Sequence, residues 1–176
     1  MIIITKIETP IGEMIAGATD EGVCLLEFTD RRMLPTEYKD LTRLLKTNLV
    51  DGENRHHKIL KKQLIEYFDG IRKEFSIPLV TPGSEFQKTV WKELQNIPFG
   101  STRSYQEQAI ALNRPDSVRA VANANGMNRI SIVIPCHRVI GSDGRLTGYG
   151  GGLNRKKWLL DHEKKYSGKA IDLSLF

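Results

Sequence analysis

The stretch Ile130-Ser131-Ile132-Val133-Ile134-Pro135-Cys136-His137-Arg138-Val139-Ile140 sets a run rich in β-branched residues directly against a thiol, an imidazole and a guanidinium. It reads as a buried strand that ends in a reactive turn. Pro135 removes a backbone donor and biases Ile134 toward extended geometry, so ladder pairing stops just before Cys136 and the thiol is presented at an element's end. A free cysteine titrates near ~8.5 and is only slightly ionised at neutral pH, so a nucleophilic one needs neighbours that favour the anion. His137 and Arg138 are residues of that kind. Most free cysteines are small buried hydrophobes, and neighbouring strand residues point to opposite faces, so a bare Cys-His pair decides little. The flanking sequence has to carry the weight.

Upstream of this stretch the chain is helical, with legible starts. Ser84-Glu85-Phe86-Gln87 is a capping-box pattern opening a helix whose Phe86, Val90 and Leu94 form one stripe, closed by Ile97-Pro98-Phe99-Gly100. Ser104-Tyr105-Gln106-Glu107 repeats the pattern and opens a short helix through Leu112. Asn113-Arg114-Pro115 breaks it, and Asp116 or Ser117 is placed to cap a further helix from Val118 to about Asn125. Helix, brief turn and helix, with Arg119 early in the second member, is a helix-turn-helix pattern. The small residues Ala120, Ala122 and Ala124 suit close approach to a minor groove or close packing between helices. A last helix is expected from Asn154 through Glu163, with Trp158, Leu159 and His162 on one face packing into the core.

The N-terminal half reads differently. Ile2–Thr9, Glu13–Ala18 and Val23–Phe28 are β-rich runs separated by turn signals at hairpin spacing, which predicts a small antiparallel sheet. Leu34–Leu49 and Lys58–Phe68 have helical spacing and are expected to pack on it. His56-His57 is expected to flank a helix start, solvated rather than metal-bound, and Cys24 to pack in the core. The Pro- and Gly-bearing segment from Ile77 to Gly83 reads as a linker. The division is 1–81, a sheet-and-helix subdomain, and 82–176, a mainly α subdomain holding the helix-turn-helix and Cys136.

Composition narrows the function. Two cysteines far apart and four histidines without metal-ligand spacing suggest neither a disulfide framework nor a metal site. No stretch approaches the roughly 20 apolar residues of a membrane span, and no leader pattern is evident, so a cytoplasmic protein without a membrane partner is expected. Residues 1–81 hold 12 Lys+Arg against 13 Asp+Glu, whereas residues 82–176 hold 14 against 8, so the net charge of +5 belongs to the half with Cys136. Between Gly100 and Arg145 every basic residue is arginine (103, 114, 119, 129, 138 and 145), a choice that suits phosphate forks.

An apolar residue, then Pro-Cys-His-Arg, then two β-branched residues closely resembles the active-site signature of the O6-alkylguanine-DNA alkyltransferases, the methylated-DNA–protein-cysteine methyltransferases. Phe86-Gln87-Lys88-Thr89-Val90-Trp91, Ile97-Pro98-Phe99-Gly100, Thr102-Arg103-Ser104-Tyr105, Arg119-Ala120-Val121, Asn128, Thr147-Gly148-Tyr149, Trp158-Leu159-Leu160 and His162-Glu163 stand at similar spacing. The resemblance covers essentially the whole C-terminal half and implies the stand-alone form of the family. It implies that Cys136 accepts the alkyl group, that His137 is linked to it through water, that Glu163 orients the imidazole and that Asn128 braces the turn. Tyr105 would assist departure of the base and Arg119 would fill the gap in the duplex. Ser104, Tyr105, Ala120, Asn123 and Ala124 would complete the DNA-binding face. Tyr149 would form a pocket wall, and the backbones of Cys136, Val139 and Gly150, with Gly151 beside them, would line the guanine edge.

The implied reaction is DNA repair: O6-alkylguanine is flipped out of duplex DNA and its alkyl group passes irreversibly to Cys136, once per molecule and without a cofactor. The implied protein is a monomer, nucleoid-associated in a bacterial or archaeal cell. Alkyl-size preference, action on O4-alkylthymine and cooperative loading on DNA are left open. A lesion sensor of the alkyltransferase-like type would lack the acceptor cysteine, a thiol hydrolase would leave the helix-turn-helix unexplained, and a simple regulator would leave Pro-Cys-His-Arg unexplained.

Overall fold

The computed structural model describes residues 1–168; the last eight residues of the expected 82–176 subdomain lie outside them. β1 (Ile2–Thr9), β2 (Gly12–Ala18) and β3 (Val23–Phe28) form an antiparallel meander in the order β3-β2-β1. The sheet is mixed rather than wholly antiparallel. α1 spans Leu34–Leu44 and stops short of the expected Leu49, because Leu49–Asp51 forms β4 and pairs parallel to Ile2–Ile4 on the open edge of β1. That edge carries unpaired backbone donors and acceptors, a demand that helical spacing does not register.

α2 (Arg55–Phe68) begins three residues earlier than its apolar spacing predicts, since the side chain of Asn54 accepts the His56 and His57 amides. The two histidines are buried, not solvated. Nε2 of His57 sits 3.0 Å from the Ile3 carbonyl and Nε2 of His56 sits 2.9 Å from that of Asp20, so their ring nitrogens tie α2 to the sheet. Ile2, Ile15 and Cys24 pack with Leu34 and Leu41 of α1, whereas Met14, Ala16, Leu26 and Phe28 pack with Leu60 and Leu64 of α2. The same cluster continues into Val90, Trp91, Ile130, Ile134 and Leu159, so the two halves share one core.

The proline-bearing segment is also pinned: the Val23 amide donates to Pro78 O at 2.9 Å and the Val80 amide to Val23 O at 2.8 Å. α3 (Glu85–Leu94), a two-residue β5 (Arg103–Ser104) and α4 (Tyr105–Ala111) follow, and both capping boxes read from the sequence form, on Ser84 and Ser104. α5 covers Val118–Gly126; Ser117 occupies its cap position without a side-chain bond. Cys136–Arg138 makes one 3-10 turn, β6 (Val139–Ile140) pairs parallel to β5, and α6 runs Leu153–Tyr166. No helix of the described residues is long and apolar enough to cross a membrane.

Candidate active site

The segment from Ile130 to Ile134 is buried, as its composition requires, yet it is a turn rather than a strand. One bridge joins it to the sheet: Leu26 donates to Arg129 O at 2.9 Å and accepts from the Ser131 amide at 2.8 Å. The chain then folds back, with the Ile134 amide donating to Ile130 O at 3.0 Å. Ile132 carries φ of 72°, a left-handed conformation that costs a β-branched residue on the order of 1–3 kcal/mol. Asn128 holds the turn closed. Its Oδ1 accepts the Ile130 amide at 2.9 Å, while its Nδ2 donates to Ile134 O at 2.8 Å and to Cys136 Sγ at 3.3 Å.

His137 and Arg138 do not favour the Cys136 anion by contact. Both turn away from the sulfur toward Glu163, a fully buried carboxylate on α6. Nε2 of His137 lies 2.6 Å from Oε2, Arg138 donates through Nε at 2.7 Å to Oε1 and through Nη2 at 3.1 Å to Oε2, the Tyr67 hydroxyl donates at 2.7 Å and the Gly100 amide at 3.2 Å. Burial alone would raise the Glu163 carboxyl, but His137 and Arg138 beside it hold it well below the usual carboxylate range. Burial pushes the His137 imidazole down against the pull of Glu163, so the ring rests neutral. Among the described residues its buried Nδ1 has no hydrogen-bond partner, and it is the nitrogen that Glu163 does not use.

Cys136 opens into a pocket of about 480 Å³ whose lining includes Arg31, Tyr105, Gly126, Tyr149 and Gly150. Burial raises the thiol, and the Asn128 amide opposes that rise by donating to the sulfur. The resting sulfur is therefore a protonated thiol with a donor already in place for the anion. Burial, with Cys136 and Glu27 adding to it, keeps the Tyr149 phenol well above its usual range. The Tyr105 hydroxyl donates to Thr147 O at 3.1 Å. Val139 is buried; its amide returns to Cys136 O and its carbonyl accepts the Lys156 ammonium at 2.6 Å. Lys156 also donates to Thr147 O at 2.8 Å, and burial brings it down to about 8. Gly151 is buried between the rings of Phe28 and Tyr149, where a Cβ would overlap both.

α4 and α5 form the expected helix-turn-helix, locked by a reciprocal amide pair between Gln108 and Asn125 at 2.7 and 2.8 Å. Arg119, Ala120 and Asn123 are exposed on α5, and Ser104 caps α4. Ala124 departs from the expected DNA face. It is buried, and its carbonyl accepts the Trp91 indole at 2.9 Å, so it packs the helix inward. The arginine series divides too: Arg138 belongs to the Glu163 cluster, Arg129 donates to Pro82 O, and Arg103 pairs with Glu93, which leaves Arg114, Arg119 and Arg145 exposed.

Sequence reasoning missed Lys156, Tyr67, Glu27 and Arg31. A charged residue inside an apolar run was the available signal for Glu27, which stands in Val23–Phe28 and is fully buried. Arg31 has ion-pair partners nearby in Glu27 and Glu37, but nothing local marks its contacts with Gly126 and Asn128, or that of Tyr67 with Glu163, which lie about a hundred residues away in the chain.

Residues 2–81 match the family model described as 6-O-methylguanine DNA methyltransferase, ribonuclease-like domain, and residues 85–165 match its DNA binding domain. A methylated-DNA–protein-cysteine methyltransferase of Mycolicibacterium paratuberculosis is 41% identical over 173 residues, covering 98% of this chain and 99% of that one. The constitutive protein of the same name from Bacillus subtilis is 39% identical over 161 residues, covering 91% and 94%. Among solved structures, the Mycobacterium tuberculosis O6-methylguanine methyltransferase aligns with a TM-score of 0.80 at 39% identity, covering 100% of this chain and 99% of that one. The M. tuberculosis protein OGT in complex with DNA aligns with a TM-score of 0.83 at 38% identity, covering 93% and 94%.

Proposed function

Because the chain belongs to the 6-O-methylguanine DNA methyltransferase family, we propose that it repairs O6-alkylguanine in duplex DNA by moving the alkyl group onto Cys136, once per molecule. The observation that carries this reading is a thiol on the floor of a pocket bounded by α5, with a donor on its sulfur and a neutral, carboxylate-held imidazole behind it.

The target atom is stacked inside the duplex, so the nucleotide has to leave it, at a cost of a few kcal/mol that weakened pairing reduces. Arg119, exposed on α5, fills the gap. Positive charge on this half binds phosphates with little regard to sequence. In the pocket the thiol proton passes through a water to Nδ1 of His137, and the resulting imidazolium rests on Glu163, which stays anionic. The sulfur attacks the alkyl carbon, the S–C bond forms and the C–O bond breaks with its electron pair passing to the base. Tyr105, at the pocket mouth, donates to the departing guanine and disperses that charge. The thioether product has no easy hydrolytic exit. The protein acts as a monomer in the cytoplasm, on the nucleoid where the cell is bacterial or archaeal.

The test is incubation with a duplex carrying radiolabelled O6-methylguanine. Label should move to protein in one burst, equal in amount to the protein, and map to the peptide containing Cys136. Sustained turnover, or label elsewhere, would overturn the reading.

A further inference from the structure

Arg31, which lines the pocket, belongs to a second buried ionic group supplied by the N-terminal half. Arg31, in the turn after β3, is buried. Its Nη1 pairs with Glu27 and lies 3.0 Å from Glu37 Oε1; the same nitrogen donates to Asn128 O at 3.2 Å, and Nη2 donates to Gly126 O at 2.7 Å. Those two carbonyls end α5 and begin the Asn128 turn. Glu27 reaches the same turn from its other end, accepting the Ser131 hydroxyl at 3.0 Å. The guanidinium also lies flat against Gly150: a Cβ there would overlap Arg31 Cζ, Nε and Nη1. A side chain from the turn after β3 thus touches the end of α5, the residue that donates to the acceptor sulfur, and Gly150 at the pocket's edge.

We propose that Arg31 is a positioning residue for alkyl transfer, holding Asn128 and the Gly150 edge of the pocket in fixed relation to the Cys136 sulfur. The proposal rests on Cys136 being the acceptor. Packing alone would be served by an apolar side chain, and a buried ion cluster is weak evidence for stability. What a guanidinium adds is a planar fork that reaches two carbonyls at once, which an ammonium does not reproduce. It adds charge of a useful sign as well. The groups facing the Cys136 sulfur are Arg31, Lys156 and the Asn128 amide, which favour the anion, and Glu27, which opposes it; Tyr149 stands beside it protonated. Burial raises both carboxyls of the pair, against the pull of Arg31; Glu37, with Glu27 beside it, is raised to about 9 and holds a proton at neutral pH, which leaves Glu27 as the partner that faces the Arg31 charge.

The experiment separates positioning from support. Arg31→Met, Arg31→Lys and the neutral triple variant Glu27→Gln/Arg31→Met/Glu37→Gln are compared with wild type in single-turnover reaction with free O6-benzylguanine across pH. Rates are counted per chain that reacts, and melting temperatures are recorded beside them. Arg31→Met leaves the buried Glu27 carboxylate without a cation and should melt lowest, whereas the triple variant removes the whole cluster and should recover much of that loss. Its rate should nonetheless stay about tenfold below wild type at neutral pH, whereas the pH–rate midpoint, about one unit higher in Arg31→Met alone, should return toward the wild-type value once Glu27 is removed with Arg31. Arg31→Lys should fall between. A triple variant that regains the wild-type rate together with its stability overturns the proposal. Should that variant not fold, Arg31→Lys decides: a wild-type rate and midpoint overturn it, a slower reaction per reacting chain supports it. Wild type that accepts no alkyl group would overturn the proposed function instead.

Discussion

Cys24 is the second residue of β3, between Val23 and Leu25, which both pair with β2, while Cys136 opens a 3-10 turn. Burial raises both thiols, Cys24 to about 12, so burial does not distinguish them. Their surroundings do. Around Cys24 are Ile2, Ile15, Leu25 and Leu41, and its anion would have its own backbone amide and the Arg129 charge in its favour. Cys136 has the Asn128 amide on the sulfur, Arg31 and Lys156 facing it, and a pocket through which a reactant arrives. A reactive cysteine is here defined less by its resting protonation than by what awaits the anion and by access.

The comparison breaks most readily at the sulfur itself. Cys136→Ser should lower transfer by about a thousandfold or more, since a hydroxyl of far higher pKa replaces the thiol in nearly the same volume, and DNA affinity should be largely kept. Methyl transfer retained by that variant would place the acceptor elsewhere.

Glu163→Gln should come next, costing about 3–5 kcal/mol because the buried Arg138 loses its carboxylate, and slowing alkylation by about ten- to a hundredfold because the imidazolium formed during proton transfer has no anion to rest on. The pH–rate midpoint for the free base should move upward. A folded, slower variant with an unmoved midpoint would make Glu163 a packing residue. The linkage has a definite sign. Glu163 is depressed in the fold, so its stabilisation is present above the unfolded value near ~4.3 and is lost as pH falls toward the folded one. His137 is depressed as well, so protonation of the unfolded chain begins to erode stability below ~6.5. Glu37, raised to about 9 in the fold, works the other way, its stability contribution growing as pH falls from about 9 toward ~4.3. Acid unfolding of wild type, followed by tryptophan fluorescence, should therefore be concentrated below ~4.3, where Glu163 is the group being lost.

Arg119→Ala should reduce repair of duplex DNA by about tenfold while leaving the rate with free O6-benzylguanine unchanged, since only the duplex has a gap to fill. Equal losses on both substrates would assign Arg119 to the pocket or the fold. The smallest effect belongs to the other cysteine. Cys24→Ala should leave one alkyl group per chain and the same rate, at a cost of about 1 kcal/mol measured by urea denaturation. A loss of transfer there would erase the distinction between the two thiols.

Much of this was legible in the sequence where the signal is local. The capping boxes at Ser84 and Ser104, the apolar stripe of α3 and the break at Asn113-Arg114-Pro115 each involve residues within one or two turns of each other, and each appears where expected. The run Ile130–Ile134 misled because an apolar, β-branched segment states that it is buried, not how its backbone is paired. What turns it is Asn128, through three side-chain bonds whose geometry no periodicity encodes. β4 escaped for the complementary reason, as its partner edge lies near the chain's start. At the site, Cys136, His137 and Glu163 carried recognisable types, but the direction of Arg138 and the arrival of Arg31 and Tyr67 depend on how the halves close.

That closure bears on when the protein becomes chemically competent. The Glu163 carboxylate collects Tyr67 from α2, Gly100 from the loop after α3, His137 and Arg138 from the 3-10 turn, and is itself delivered by the last helix. None of these elements is adjacent in sequence, so no fragment of a growing chain holds the imidazole in place. Until α6 emerges and docks, Cys136 is an ordinary thiol with no oriented base behind it. For a molecule that is consumed by its first reaction, this is a safeguard against misfire: reactivity is switched on by the completion of folding and not by the appearance of the cysteine.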